Sequence, residues 1–152
     1  MAAPDTDNFE KLTREIIKSQ LKESPAETAT AAAADIASKI IVAGVTKTSR
    51  RQDPHLTVMG ICRGIMSGML IIDKDLVATS VELVKSMAHL AQETHLDPSE
   101  MMTWAMEAIV AVSILGHPDL RADIREALER NFMGTGEVFD GLLARAAEDR
   151  RP

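Results

Sequence analysis

Four aspartates, Asp53, Asp75, Asp97 and Asp119, follow one another at intervals of 22 residues. Two stand directly before a proline, in Asp53-Pro54 and Asp97-Pro98, and His117-Pro118 precedes the fourth. An aspartate at a helix start accepts a hydrogen bond from an orphan backbone N–H, and proline suits the first helical position because its missing N–H is not needed there. Twenty-two residues is about six helical turns, roughly 33 Å. The spacing therefore predicts helices of matched length joined by very short turns, which pack as antiparallel neighbours in a bundle. The four blocks share little beyond the leading aspartate, so the period is one of helix length and not of a repeated unit.

The remainder of the chain fits the same plan. Residues 1–8 read as a loose N-terminal arm. Phe9, Leu12, Ile16 and Leu21 are spaced for one buried helix face ending near Lys22. Ser24-Pro25-Ala26-Glu27 has the form of a capping box, opening an alanine-rich helix that Gly44 is expected to end. Residues 45–52 are a polar loop. Helices are expected to about Asp73, His95, Gly116 and Asn131, then a Gly134-Thr135-Gly136 turn and a last helix from Glu137 to Ala147. The expectation is an all-α, single-domain bundle of six or seven helices spanning 9–148, with a short tail at 149–152. Its N-terminal pair covers 9–44, its main bundle 53–148, and its central helices about 54–72 and 98–115. In the latter, Met102, Ile109, Val112 and Leu115 are expected to be buried.

Composition narrows the classes. Aromatics make up only 3% of residues, with no Tyr, while Met numbers nine, so the core must be built from Ala, Leu, Ile, Val and Met, which favours helices over strands. The net charge of −6, with only short basic runs at Lys47, Arg50 and Arg51 and at Arg150 and Arg151, argues against nucleic acid as a partner. The single cysteine, Cys62, excludes an internal disulfide and fits a reducing, cytoplasmic setting. The N-terminal residues carry neither a basic region nor an apolar run, so no signal peptide is expected. The stretch from Leu56 to Ile72 holds Arg63 and three glycines and makes a poor membrane span.

Those glycines, Gly60, Gly64 and Gly68, recur every four residues inside an otherwise apolar helix. Each disfavours the helix by about 1 kcal/mol relative to alanine, so packing should offset them. With Thr57, Ser67 and Ile71 they form one small face that lets another helix approach closely. That face is expected to serve as a tight crossing within the chain or as an oligomer seam, with a dimer favoured. Arg63 is the one charge between Pro54 and Ile72, and a buried guanidinium needs a carboxylate. Glu107, midway along a later apolar helix, is the expected partner, and the two would anchor a polar ligand group. Met66, Met69, Met87, Met102 and Met106 fall on three successive helices and would fill the core or line an adaptable apolar pocket.

No catalytic constellation is legible. His89 and Glu93 are one turn apart but share a polar stripe, there is no HExxH pair, and no metal or cofactor is expected. Cys62 sits in an apolar helix that should leave it inert. No nucleophile elbow or phosphate loop is present. The leading expectation is therefore a protein-interaction or scaffolding module acting as a homo-oligomer. A binding domain for a small apolar or amphipathic ligand is the alternative, and an enzyme without a local motif stands third.

Overall fold

The computed structural model describes residues 5–46 and 53–149. They form seven helices: α1 (Asp5–Leu21), α2 (Ala26–Thr46), α3 (Pro54–Ile71), α4 (Leu76–Thr94), α5 (Pro98–Ser113), α6 (Pro118–Asn131) and α7 (Thr135–Asp149). No strand occurs among the described residues. The chain is an all-α bundle.

Three of the four spaced aspartates do what their spacing requires. The Asp53 side chain accepts from the His55 N–H at 2.9 Å, Asp75 from Ala78 at 2.9 Å, and Asp97 from Ser99 at 2.8 Å. The fourth helix is capped differently. His117 Nδ1 accepts from the Asp119 N–H at 3.2 Å, and Asp119 lies in the first turn, where a negative charge suits the helix dipole. The expected Ser24 capping box does not form. The Ser24 hydroxyl turns back to the Gln20 carbonyl at 3.5 Å, so it terminates α1 instead of starting α2.

Several boundaries move. Helix α1 begins at Asp5, inside the stretch expected to be a loose arm, and residues 1–4 lie outside the described part. Helix α2 runs through Gly44 to Thr46, because Gly44 is a packing contact and not a cap: a Cβ there would lie 3.1 Å from both Phe9 Cζ and Thr57 Cγ2. Of the expected polar loop, residues 47–52 lie outside the described part. Helix α3 ends at Ile71, where Asp73 takes a left-handed backbone (φ 59°) and the Lys74 N–H reaches back to the Met69 carbonyl. Helix α7 starts earlier than expected, at Thr135, and runs to Asp149, into the expected tail.

The core lies where α3, α4 and α5 meet. Helix α3 contacts α1, α2, α4 and α5, and α4 contacts α2, α3, α5 and α6. Ile61, Ile65 and Met66 from α3, Leu83 and Met87 from α4, and Met101, Met106 and Ile109 from α5 are almost fully enclosed. The centre thus includes α4 as well as the two helices expected there. Leu115, expected inside, is 69% exposed because α5 stops at Ser113, and Met102 is only half-buried. By length and composition alone Ala26–Val45 would also reach across a membrane. In this fold its Ala29, Ala33, Ala37 and Ile41 are fully enclosed.

The α6–α7 corner is closed by one carboxylate. Glu129 accepts from the N–H groups of Gly134 (3.1 Å) and Gly136 (2.9 Å), and these bonds hold its carboxyl below the usual glutamate range. Gly134 adopts φ 94°, which a side chain would resist, and a Cβ on Gly136 would crowd Glu129 Oε1 at 2.9 Å.

Two outcomes follow. Ile109→Ala should lower unfolding stability by about 2–5 kcal/mol in urea, whereas Leu115→Ala should change it by about 0.5 kcal/mol or less. A loss below roughly 1 kcal/mol at Ile109 would place α5 at the periphery. Glu129, with its folded pKa lowered, stabilises the fold fully above the ordinary glutamate value of 4.5 and loses that contribution as pH falls below it. The stability gap between the parent chain and Glu129→Ala should therefore shrink on acidification. A gap that stays constant down to pH 3 would contradict this assignment.

Candidate functional site

The glycine face of α3 is occupied by α1 of the same chain. A Cβ on Gly64 would fall 2.6 Å from the Glu10 carbonyl oxygen and 2.7 Å from Thr13 Cβ. A Cβ on Gly68 would fall 2.8 Å from Ile17 Cβ. Higher positions on α3 meet higher positions on α1, so the two helices run side by side in the same direction. Of the small-face residues, Thr57, Gly60, Gly64 and Gly68 are buried, Ser67 is half-buried, and Ile71 points outward at 56% exposure. Gly64 and Gly68 thus make a bed for the α1 backbone, which is how packing offsets their low helix propensity.

The expected Arg63–Glu107 pair does not form. Arg63 Nε lies 3.5 Å from Glu10 Oε1 on α1, and Arg14 Nη1 lies 3.7 Å from Glu10 Oε2, so Glu10 sits between two guanidinium groups. Glu107 is held instead by His55 at 2.7 Å from Nε2 to Oε1. A carboxylate oxygen only accepts, so Nε2 donates. The His55 ring is stacked on Trp104, with centroids 5.1 Å apart and planes 14° from parallel. One helical turn separates His55 from Met59 on α3, and Trp104, Glu107 and Ala111 share one stripe of α5. That stripe was legible in the sequence. What was not legible is that α7 would lie opposite it.

Between α3, α5 and α7 runs a groove of about 270 Å³. Its walls are Met59, Val110, Ala111, Ile114, Leu142 and Ala146, with Glu107, Arg145 and Asp149 as its charged groups. Glu107 is three-quarters buried, at 25% side-chain exposure, within an otherwise apolar wall. His55 takes one of its oxygens, and no donor among the described residues reaches the other. Of the stacked unit only Glu107 reaches the groove wall; His55 and Trp104 stand behind it, and α7 supplies the far wall.

The remaining candidates separate from this groove. Met66, Met69, Met87 and Met106 are enclosed in the core, and Met102 packs partly buried against it. None of the five lines the groove. His89 is exposed, and no group of three His, Cys, Asp or Glu side chains among the described residues is arranged to hold a metal ion. Cys62 is fully buried, and burial pushes its thiol up to about 12, far from the thiolate needed for nucleophilic chemistry.

The chain matches no protein-family model, no curated protein and no solved structure at a significant level.

The pairing has a direct consequence in double-mutant cycles. His55→Ala and Glu107→Ala should couple by about 0.5–3 kcal/mol, because the two side chains share one contact. Arg63→Ala and Glu107→Ala should add within about 0.5 kcal/mol, since each has its own partner. Strong Arg63–Glu107 coupling in urea unfolding would restore the pair that the structure does not form. Gly64→Ala, favoured by about 1 kcal/mol in an isolated helix, should instead destabilise the folded chain by roughly 1–3 kcal/mol through overpacking against α1.

Proposed function

We propose that the chain is a binding module for a small amphipathic molecule, seated in the groove between α3, α5 and α7. The observation that carries this reading is Glu107: a largely buried carboxylate in an apolar wall, with one oxygen held by His55 and the other unengaged. The second oxygen is not enclosed, so water hydrates it in the free chain and a ligand group can take that water's place. A ligand donor would satisfy the free oxygen. His55 holds the carboxylate in one orientation, and its stacking on Trp104 fixes the imidazole, so the anchor is set before binding.

The groove's size sets the occupant. At about 270 Å³ it lies at the lower end of small-molecule sites and is too small for a folded partner segment. Its walls suit an apolar body of modest length, and Glu107 suits a head with an N–H or O–H donor, above all a protonated amine. Arg63, expected to be the second anchor, belongs to the α1–α3 contact and plays no part here.

Trp104 is the only tryptophan and stacks on the His55 that holds Glu107, so its fluorescence reports on a change at this anchor. Titration with decylamine should change that emission saturably, decanoate should act at least tenfold more weakly, and Glu107→Leu should abolish the preference. Native mass spectrometry of the purified chain should show a bound small molecule that Glu107→Leu loses. An unchanged Trp104 signal with both probes, together with a bare polypeptide mass, would rule the groove out as a ligand site.

A further inference from the structure

Helix α1 is packed to the rest of the bundle through one helix face. Among the described residues it touches only α2 and α3, and the main contact is the glycine bed of α3. Helices α2 to α7 contact one another without it. We propose that α1 is exchangeable between copies: it lies in the groove of its own α3 in the monomer, and in the groove of a second copy's α3 in a dimer. This inference is independent of the ligand groove, which α1 does not line.

The fit of the bed identifies the occupant. Gly64 and Gly68 accept Glu10, Thr13, Arg14 and Ile17 at backbone distance, so the groove is shaped for a helix with small or branched side chains at that spacing. Once α1 leaves, the strip along Gly64 and Gly68 needs a cover, and the helix that matches it is another α1. In the exchanged dimer every α1–α3 contact is kept, and only the turn over residues 22–25 changes.

The seam also contains two polar atoms that oppose closure. Thr13 is fully buried, and its hydroxyl has no hydrogen-bond partner. Arg63 Nε is likewise buried without a hydrogen bond, its 3.5 Å approach to Glu10 being an ion pair only. Water satisfies both when the helices part, so opening is less unfavourable than the apolar contact alone implies. The turn is held by the Ser24 N–H on the Leu21 carbonyl (3.1 Å) and by Lys74 Nζ on the Ser24 carbonyl (2.7 Å), and both bonds are lost if the turn straightens.

The test shortens the turn. Deleting residues 23 and 24 prevents α1 from folding back onto its own α3, and a short strained hinge drives exchange. The deleted chain should keep its helical circular dichroism and sediment at twice the 16.5 kDa of one copy. A folded deletion variant that stays at 16.5 kDa would overturn the proposal. Should the deletion fail to fold, the full-length chain decides. Glu10→Cys and Arg63→Cys are introduced with Cys62→Ala, the protein is refolded at rising concentration, and the two thiols are joined with a flexible bismaleimide. Exchange gives covalent dimers on a denaturing gel whose share rises about tenfold for a tenfold rise in dilute chain concentration. Links formed only within single chains at every concentration would overturn it.

Discussion

The structure depends on one close approach, that of the α1 backbone to the glycines of α3. Helix α3 touches four other helices and is apolar on nearly every side. A helix so placed must meet each neighbour with a different surface, and toward α1 it presents bare backbone at Gly64 and Gly68. Distances of 2.6 to 2.8 Å from a notional Cβ to α1 atoms show that even alanine would force the pair apart. The low helix propensity of Gly64 and Gly68 is the local consequence of that global requirement.

What the sequence revealed and what it concealed follow a physical division. Caps are local, so Asp53, Asp75 and Asp97 could be assigned from their position before an apolar run, and the structure has each in that role. The glycine face could likewise be recognised as a packing device, because a fourfold spacing on a helix defines one side. Partner choice is not local. Arg63 and Glu107 are the conspicuous charges of their helices, yet Arg63 faces α1 and Glu107 faces the start of α3. Which carboxylate meets which cation depends on the rotation of each helix about its axis. Helix ends were misjudged where a residue had two uses: Gly44 served packing instead of termination, and Ser24 closed the preceding helix instead of opening the next.

The methionines show the same contrast between type and role. Nine in one chain suggest an adaptable surface, but Met66, Met69, Met87, Met101 and Met106 interlock inside the core, where an unbranched side chain fills irregular gaps. The open apolar surface lies elsewhere, along α5 and α7, and is lined mainly by small and β-branched residues with Met59 at its base. Its distinguishing feature is polar. His55, Trp104 and Glu107 form a stacked and hydrogen-bonded unit at the junction of α3 and α5, and Glu107 carries it to the groove wall.

The parallel course of α1 and α3 has a consequence for the order in which the molecule is assembled. Two helices pointing the same way cannot be joined by a tight turn, so α2 must run back between them before their contact can close. The Thr13–Gly64 approach therefore spans a long stretch of sequence, and the chain entropy of closing it comes before any packing is gained. During synthesis α1 emerges before α3, when its bed has not yet been made. It must wait as a solitary amphipathic segment until α2 and α3 follow.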